Sequence, residues 1–559
     1  MSANMFRKLS LVLGFWAALA VPAHAAWFSS GSSELQQILT APEITIEDYE
    51  VSTEELNIFY TARGYKPAWD FEGQDKEATF NAFLDSIEKL IEYHGLQRED
   101  YAVGLMRKLE ASSEPDSKTK LELLVTDTLL RLAHDLHGDT MDLAELYVGW
   151  NFNRNEIDIP NTLAGAVANN SLNDYIESLT PKNPAYTKLA QALLAYRTLA
   201  AKGEWPKIDK GGSLKLKDHG PRVVQLRERL AAEGYLPPIL IPEALSDVFD
   251  GDLERALLAY QTRNGIEVDG AMGSKALEAL NTPIKTRIDQ ILANMERWRH
   301  MPDDFPPDRY TLVNIPNATI DITEDGKPIY HGIVIVGRVD RKTPFIQSQV
   351  RSMIINPAWH VPTKIARKDI LPKLRKDPHY LEKMGFVIRG SEDDPHGDTI
   401  DWSTMKEREF NFRLRQSPGD MNSLGRLKFD FDNDFAVYMH GTPHQELFKK
   451  NERSLSSGCV RLHDPTQVAE IILSHNKNAM NAEQIEEAIQ SNETHWIGIT
   501  KPMPLYVVYW SVFVDDADAV NFRKDIYDYD GFLMQAMRSE PGVDDANKTP
   551  PYAPAPSQQ

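Results

Sequence analysis

The runs Tyr310-Thr311-Leu312-Val313-Asn314-Ile315 and Ala318-Thr319-Ile320-Asp321-Ile322-Thr323 decide the fold of the C-terminal half of the chain. Apolar and polar residues alternate in both runs, and a period of two is typical of β-strands with one buried face. A turn at residues 324–327 leads into a further run, Ile329 to Val336. More strand is predicted at residues 353–355 and 435–440. Together with a linking helix, Ile284 to Trp298, these patterns predict a mostly β domain over residues 286–510.

The predicted strand Phe435-Ala436-Val437-Tyr438-Met439-His440 carries the first candidates for chemistry. Alternation places Tyr438 and His440 on one face of the strand. Cys459 follows nineteen residues after His440, in the loop Ser456-Ser457-Gly458-Cys459-Val460-Arg461-Leu462. Asp464-Pro465 then begins a helix. A cysteine in a glycine-containing loop, with an imidazole at a strand end, suits an exposed nucleophile and its base.

These residue types match the chemistry of a thiol nucleophile. A thiol with a pKa of about 8.5 is mostly protonated at neutral pH, and a neighbouring imidazole accepts its proton. The thiolate attacks a carbonyl, backbone N–H groups hold the oxyanion, and the imidazolium protonates the leaving amine. Cys459 is the only cysteine, which excludes intramolecular disulfides, all-cysteine zinc sites and iron–sulfur clusters. A single cysteine in a protein that is predicted to be exported, as described below, is equally consistent with a buried unreactive thiol.

His463 is the competing base, since it lies four residues after Cys459 and beside Asp464. We favour His440, because the helix that begins at Asp464 is expected to turn His463 away. Cys459, His440 and His463 also raise the alternative of a metal site. That set lacks a clear fourth ligand and a second shell, so we predict no metal. Acyl transfer through a thiol needs no organic cofactor either, and none is predicted.

Two helical regions are predicted before the β domain. Residues 32–206 repeat apolar residues at three- and four-residue spacing and predict an α-helical scaffold without chemistry, in which His94, His134 and His137 are isolated. Residues 212–283 predict a compact three-helix unit. Its motifs are similar to the peptidoglycan-binding domain attached to many cell-wall enzymes; they are Gly220-Pro221-Arg222-Val223-Val224-Gln225-Leu226-Arg227, Phe249-Asp250-Gly251, Tyr260-Gln261 and Val268-Asp269-Gly270. The alternative is a helical spacer that has lost its affinity for a ligand.

Residues 362–432 are predicted to form an insertion between the strands of the β domain. It begins with a basic helical run in which Asp369 is the only acidic residue against Lys364, Arg367, Lys368, Lys373, Arg375 and Lys376. A solvated helix face is the usual interpretation of such a charge run.

The ends and the charge of the chain limit its location and partners. Arg7 and Lys8 precede an apolar run of about 13 residues and an Ala23-His24-Ala25 cleavage site, which predicts a signal peptide over residues 1–25. The run is short of the roughly 20 residues that span a bilayer, so a membrane anchor is the weaker alternative.

At the other end of the chain, residues 511–539 are predicted to be a C-terminal extension and residues 540–559 a disordered tail. The 559 residues include 61 Lys and Arg and 82 Asp and Glu, a formal charge of −21, which argues against a general nucleic-acid binder.

The segment His440-Gly441-Thr442, followed by Ser456-Ser457-Gly458-Cys459-Val460-Arg461-Leu462, resembles the catalytic signature of L,D-transpeptidases, cysteine enzymes that cross-link peptidoglycan. Residues 310–316, 355–362, 365–373, 413–416 and 424–429 are also similar to this family. The resemblance is to its large Gram-negative subgroup, which joins a helical scaffold, a peptidoglycan-binding module and a β domain with a substrate-capping insertion. The expected fold class is therefore multidomain α+β.

The resemblance implies roles for the motif residues. Cys459 is the expected nucleophile and His440 the base, with its ring oriented by a backbone carbonyl such as that of Gly441. The amides of Cys459 and Gly458 are expected to help form the oxyanion hole, with Tyr438 nearby.

Three further motif positions carry expectations or departures. Arg461 is expected to support the loop or a substrate carboxylate. Ser457 stands where many relatives carry His, and Gly441 where many members of the large subgroup carry Asp. Neither departure removes the nucleophile or its base.

The function implied by the resemblance is peptidoglycan cross-linking in the periplasm. Cys459 would attack the carbonyl of the third residue of a tetrapeptide stem and expel D-alanine, and the side-chain amine of another stem would capture the acyl group in a 3→3 link. The expected partners are peptidoglycan stem peptides; we expect a monomer with no stable membrane insertion, and a basic insertion that acts as a lid over anionic stems. The alternatives are an L,D-carboxypeptidase or endopeptidase on the same motif, and a non-catalytic cell-wall-binding scaffold.

Overall fold

The computed structural model describes residues 29–69, 76–152, 154–236 and 247–538. The predicted signal peptide and the predicted tail lie outside these residues. Within the described ranges, no helix combines the length and the apolar character needed to cross a bilayer.

The N-terminal region is helical apart from one short hairpin. Its elements are α1 (Ser29–Ile38), β1 (Ile44–Ile46), β2 (Tyr49–Val51), α2 (Thr53–Ala62), α3 (Lys76–His94), α4 (Val103–Glu110), α5 (Ser117–His137), α6 (Leu143–Leu146), α7 (Ile159–Ala168), α8 (Leu172–Leu179) and α9 (Pro184–Ala200). The predicted helical character of this region is confirmed, with the hairpin as a short interruption. Ile44 and Ile46 bury one face of β1, and Glu47 takes a positive φ of 55° in the turn, so a period of two overrides the helical pattern there.

The next unit contains three helices among its described residues, as the sequence predicts. These are α10 (Pro221–Ala232), α11 (Gly251–Arg263) and α12 (Ser274–Leu280). Asp250 caps α11 by accepting a hydrogen bond from the Leu253 amide. The helices enclose a small core of their own, which includes Leu226, Phe249 and Leu257. Helix α13 (Ile284–Arg299) then connects this unit to the β domain.

The β domain is built on one nine-stranded sheet. Its strands are β3 (Arg309–Asn314), β4 (Thr319–Glu324), β5 (Lys327–Gly337), β6 (Ile346–Ile355), β10 (Leu427–Phe431), β11 (Met439–His440), β12 (Ser454–Ser456), β13 (Val460–Leu462) and β14 (His495–Val508). They run in the order β12-β5-β13-β11-β10-β6-β14-β3-β4, and β4 also pairs with β5, which closes the sheet on itself. Helices α17 (Pro465–Leu473) and α18 (Ala482–Gln490) contribute to the core below the sheet.

The insertion is a separate small layer with its own apolar core. It contains β7 (Trp359–His360), α14 (Thr363–Ile365), a π-helical turn (Ala366–Ile370), α15 (Leu371–Leu374), α16 (Tyr380–Lys383), β8 (Phe386–Ile388) and β9 (Leu414–Gln416). The strands form a three-stranded sheet in the order β7-β9-β8. The predicted end of the insertion at residue 432 is wrong, because residues 427–431 form β10 between β6 and β11 of the main sheet.

Residues 511–538 are integrated into the core. They form β15 (Val512–Val514), β16 (Val520–Phe522) and α19 (Tyr529–Met537). Side chains of α9, α13, α19 and the main sheet belong to one continuous apolar cluster, in which Leu193, Ile291 and Leu533 are fully buried. The N-terminal region and the β domain are therefore packed together through α9 and α13.

Candidate active site

The candidate residues lie where β11 is held between β10 and β13. Met439 is paired with Val460, and His440 with Arg461, in parallel register. Met439 and Val460 are fully buried in the core. Because side chains alternate along a strand, Tyr438, His440, Cys459 and Arg461 lie on the opposite face of the sheet. Rings of Tyr438 and His440 are 5.5 Å apart between centroids, as expected for neighbours on one face.

The strand that carries His440 is shorter than predicted. Only Met439 and His440 are paired as β11, whereas the alternating pattern predicts strand from residue 435. Ala436 has a positive φ of 53°, and the Asn433 side chain hydrogen-bonds the backbone of Val437. This local turn replaces the first half of the predicted strand, while Val437 still enters the core.

Hydroxyl groups and one glycine shape the cysteine loop. Gly458 has a φ of 113°, a conformation that disfavours any residue with a Cβ. Ser456 Oγ donates to the Cys459 carbonyl at 2.6 Å and accepts from the Gly458 amide at 3.1 Å. Thr343 Oγ1 donates to the Gly458 carbonyl at 2.8 Å. The loop is thereby fixed immediately before the half-buried Cys459.

This loop geometry bears on the expected oxyanion hole. The Gly458 amide already donates to Ser456 Oγ, so it is not directed at a substrate oxygen in this state. Of the two expected amides, that of Cys459 is the better placed to serve as donor.

His440 has the backbone contact that the resemblance implies. Its Nδ1 lies 2.5 Å from the Gly441 carbonyl oxygen, and a carbonyl there fixes Nδ1 as the protonated nitrogen and leaves Nε2 as the acceptor. Burial, together with the nearby Arg461 guanidinium, lowers the pKa of His440 to about 3. Burial also raises the pKa of the Cys459 thiol above its usual range. At rest, the thiol of Cys459 and the imidazole of His440 are therefore both neutral.

Cationic groups surround this pair. The Lys428 ammonium lies 4.4 Å from the centroid of the Tyr438 ring and 2.6 Å from Asp430 Oδ1. Arg461 is half-buried, and its Nε has no hydrogen-bond partner among the described residues. Both cations favour the thiolate of Cys459 and disfavour the protonated form of His440. They would also stabilise negative charge that develops on a substrate.

Ser457 is joined to the insertion by a residue that the sequence analysis missed. Arg341 donates to Ser457 Oγ at 2.8 Å and to Asp369 Oδ1 at 2.9 Å. Asp369 is the single acid in the basic run, and Arg341 lies in the loop between β5 and β6. The insertion is thus linked directly to the loop of Cys459. Nothing in the local pattern around Arg341 predicts this contact, which depends on the folded sheet.

His463 lies apart from this cluster. It is exposed, and its ring packs edge-on against Phe448 with centroids 5.0 Å apart. In the described part of the chain, no three His, Cys, Asp or Glu side chains are placed so that they could hold a metal ion. Cys459, His440 and His463 do not form such a group.

Comparisons with known protein families agree with this organisation. Residues 308–479 match the profile of the L,D-transpeptidase catalytic domain. Residues 219–280 match that of a "Putative peptidoglycan binding domain", and residues 54–193 that of a scaffold domain. The chain thus combines the three domains that characterise the multidomain subgroup named above, which confirms the resemblance.

Individual proteins give more limited matches. A Haemophilus influenzae protein described as "Putative L,D-transpeptidase" is 33% identical over 253 residues, which cover 44% of this chain and 50% of that protein. The chain therefore spans about half the length of this curated relative. A crystal structure of the L,D-transpeptidase (residues 123–326) from Xylanimonas cellulosilytica covers 54% of this chain and 100% of its own, with 12% identity and a TM-score of 0.15.

Proposed function

We propose that this chain, which carries an L,D-transpeptidase catalytic domain, cross-links peptidoglycan through an acyl-enzyme on Cys459. The observation that supports this most strongly is the common face of Cys459, His440 and Arg461, with Nδ1 of His440 held by the Gly441 carbonyl. A cysteine with a purely structural role would not need an imidazole of fixed orientation on the same face. Nor would it need the Arg461 guanidinium there, whose Nε has no hydrogen-bond partner among the described residues.

The proposed reaction has two acyl-transfer steps. Cys459 Sγ attacks the carbonyl carbon of the third residue of a tetrapeptide stem while its proton passes to His440 Nε2. The bond to terminal D-alanine breaks, and His440 returns that proton to the leaving amine. In the second step an amine of another stem attacks the thioester and gives its proton to His440. The new amide forms as the thiolate of Cys459 leaves, and His440 protonates this thiolate.

The other domains fit the same proposal. The three-helix unit would hold peptidoglycan strands, and the helical scaffold would orient it relative to the β domain. A peptidoglycan substrate and the predicted signal peptide both support a periplasmic location. The stem peptides are the proposed partners, and water in place of the acceptor amine would make the same site a carboxypeptidase.

Incubation with purified disaccharide-tetrapeptide, followed by mass analysis, tests the proposal. A cross-linked dimer that has lost one D-alanine is expected, whereas a shortened monomer alone would identify a carboxypeptidase. Cys459→Ala should give neither product. Intact-mass spectrometry with a carbapenem should show one adduct on the wild type and none on Cys459→Ala, and an adduct on the variant would exclude Cys459 as the nucleophile.

A further inference from the structure

The three-stranded sheet of the insertion has one apolar and one cationic face. The register pairs His360 with Arg415 and Arg415 with Val387. The Arg389 amide continues the ladder by donating to the Arg413 carbonyl at 2.9 Å. Because alternate residues share a face, His360, Arg389, Arg413 and Arg415 lie together. The opposite face is buried in the core of the insertion and consists of Trp359, Phe386, Ile388, Leu414 and Gln416.

The cationic face has no counter-charge among the residues that the structure describes. None of Arg389, Arg413 and Arg415 forms an ion pair with any described residue. Arg389 and Arg413 are directly opposite each other on adjacent strands, and like charges in that position are destabilising. A protein with a net charge of −21 has many carboxylates that could neutralise such a pair. The uncompensated arrangement therefore points to an anion supplied from outside the chain.

The arginines of the basic helical run, unlike those of the sheet, form hydrogen bonds within the insertion. The Arg367 guanidinium donates to the Phe410 carbonyl and to Asn411, and that of Arg375 donates to the Met405 carbonyl. These bonds hold loops of the insertion itself. They make the two arginines of the helical run structural residues of the insertion, whereas the guanidinium groups of Arg389, Arg413 and Arg415 form no hydrogen bond with a described residue.

The cationic face is joined to the candidate active site through the strands that flank the insertion. β7, which carries His360, follows β6, and Lys428 of β10 is paired both with Ile354 of β6 and with His440. Burial and, after it, the positive charges of Arg389, Arg415 and Lys428 lower the pKa of His360. Lys428 lies at the same time over the Tyr438 ring, and Tyr438 packs against the core of the insertion. Lys428 therefore connects the arginine face to the residues around Cys459.

We propose that Arg389, Arg413 and Arg415 form a carboxylate-binding subsite that holds the stem peptide away from the scissile bond. Guanidinium groups bind carboxylates through paired, charge-assisted hydrogen bonds, and stem peptides carry several carboxylates along an extended backbone. The subsite deepens the proposed function and rests on it. It also assigns recognition of the anionic stem to the sheet of the insertion instead of to the basic helical run.

Acylation kinetics of the full chain with disaccharide-tetrapeptide test this subsite. In the variant Arg389→Ala/Arg415→Ala, kcat/KM should fall roughly tenfold or more, as expected for lost charge-assisted hydrogen bonds. The fall should be smaller at high salt. A second donor keeps the carboxylate of the terminal residue and has carboxamides in place of its other carboxylates. The wild type and the variant should react with this donor at similar rates. Lys376→Ala/Lys368→Ala is the matched control, because it removes two exposed charges from the helical run of the same insertion.

Two kinetic results would overturn the subsite. One is an equal fall in kcat/KM in the arginine variant and the lysine control. The other is that the arginine changes lower kcat/KM equally for the carboxylate donor and the carboxamide donor. Reaction of Cys459 with a small neutral thiol reagent should be unchanged in the arginine variant. If the wild type forms no product, the proposed function is rejected, but the subsite can still be tested by binding. For this test, the affinity of Cys459→Ala for disaccharide-tetrapeptide is measured with and without the arginine changes, and the subsite predicts weaker binding when the arginines are replaced. Tighter arginine-dependent binding of inorganic phosphate than of the peptide would also count against a carboxylate subsite.

Discussion

At the residue scale, burial determines the protonation of the candidate catalytic pair. The pKa of His440 is about 3 and that of Cys459 is raised, so both groups are neutral over the physiological range. Proton transfer from thiol to imidazole must then accompany attack on the carbonyl. A preformed thiolate–imidazolium pair would instead require a thiol pKa below that of the imidazole.

The pH dependence of acylation distinguishes these two cases. Because free His440 gains a proton only near pH 3, the second-order rate constant for carbapenem acylation should stay level well below pH 6.5, the ordinary midpoint of histidine. Alkylation by iodoacetamide should increase with pH through 8 to 9 without a plateau at neutral pH. Intact-mass kinetics measures both reactions. A loss of acylation centred near pH 6.5 would contradict the neutral pair.

The limits of sequence-based prediction are clear at this scale. Cys459, His440 and Gly441 were recognisable because a local motif and strand alternation carry their placement. Lys428 and Arg341 were not, since each reaches the site through a contact between separate segments whose register no local pattern specifies. These contacts are the pairing of β10 with β11 and the bond between the β5–β6 loop and Asp369. The use of the Gly458 amide by Ser456 Oγ likewise depends on a loop conformation that no pattern specifies.

At the element scale, the insertion is attached to the cysteine loop through one side chain. Arg341 is only 8% exposed and connects Asp369 of the π-helical turn with Ser457. Residues 427–431 were predicted to belong to the insertion, and only their register with β6 identifies them as a strand of the nine-stranded sheet. The insertion is therefore a layer that begins and ends at neighbouring strands and is fastened beside Cys459.

Asp369→Asn should loosen this attachment. The change keeps the shape of the side chain but removes its charge, and a half-buried pair of this kind contributes about 1–2 kcal/mol. We expect faster hydrogen exchange in residues 363–374 and a several-fold slower acylation by disaccharide-tetrapeptide. Asp377→Asn is the control, because Asp377 forms an exposed pair with Lys383 in the same insertion. Equal exchange in both variants would mean that Arg341 does not hold the insertion in place.

At the scale of the whole molecule, α13 joins segments from both ends of the chain. The Arg297 guanidinium lies 2.6 Å from Asp530 Oδ1 and donates to the Tyr147 hydroxyl at 2.9 Å. Ser511 Oγ also donates to Asp530 at 2.6 Å. These contacts are buried within the core shared by the N-terminal region and the β domain. The predicted C-terminal extension is for this reason part of the framework that joins the N-terminal region to the β domain.

Replacing Arg297 by Met should destabilise this framework as a unit. It leaves the Asp530 carboxylate buried without its cationic partner, and breaking a buried pair in this way lowers the free energy of unfolding by about 3–5 kcal/mol. Arg255→Met should change it by less than about 1 kcal/mol, because the Arg255–Asp252 pair is about 70% exposed on both sides. Urea unfolding followed by tryptophan fluorescence and by far-UV circular dichroism measures the effect. Since α9, α13 and α19 share one core, the N-terminal region and the β domain should lose stability in a single transition. Two separate transitions, with only one shifted by Arg297→Met, would show that the two parts fold independently.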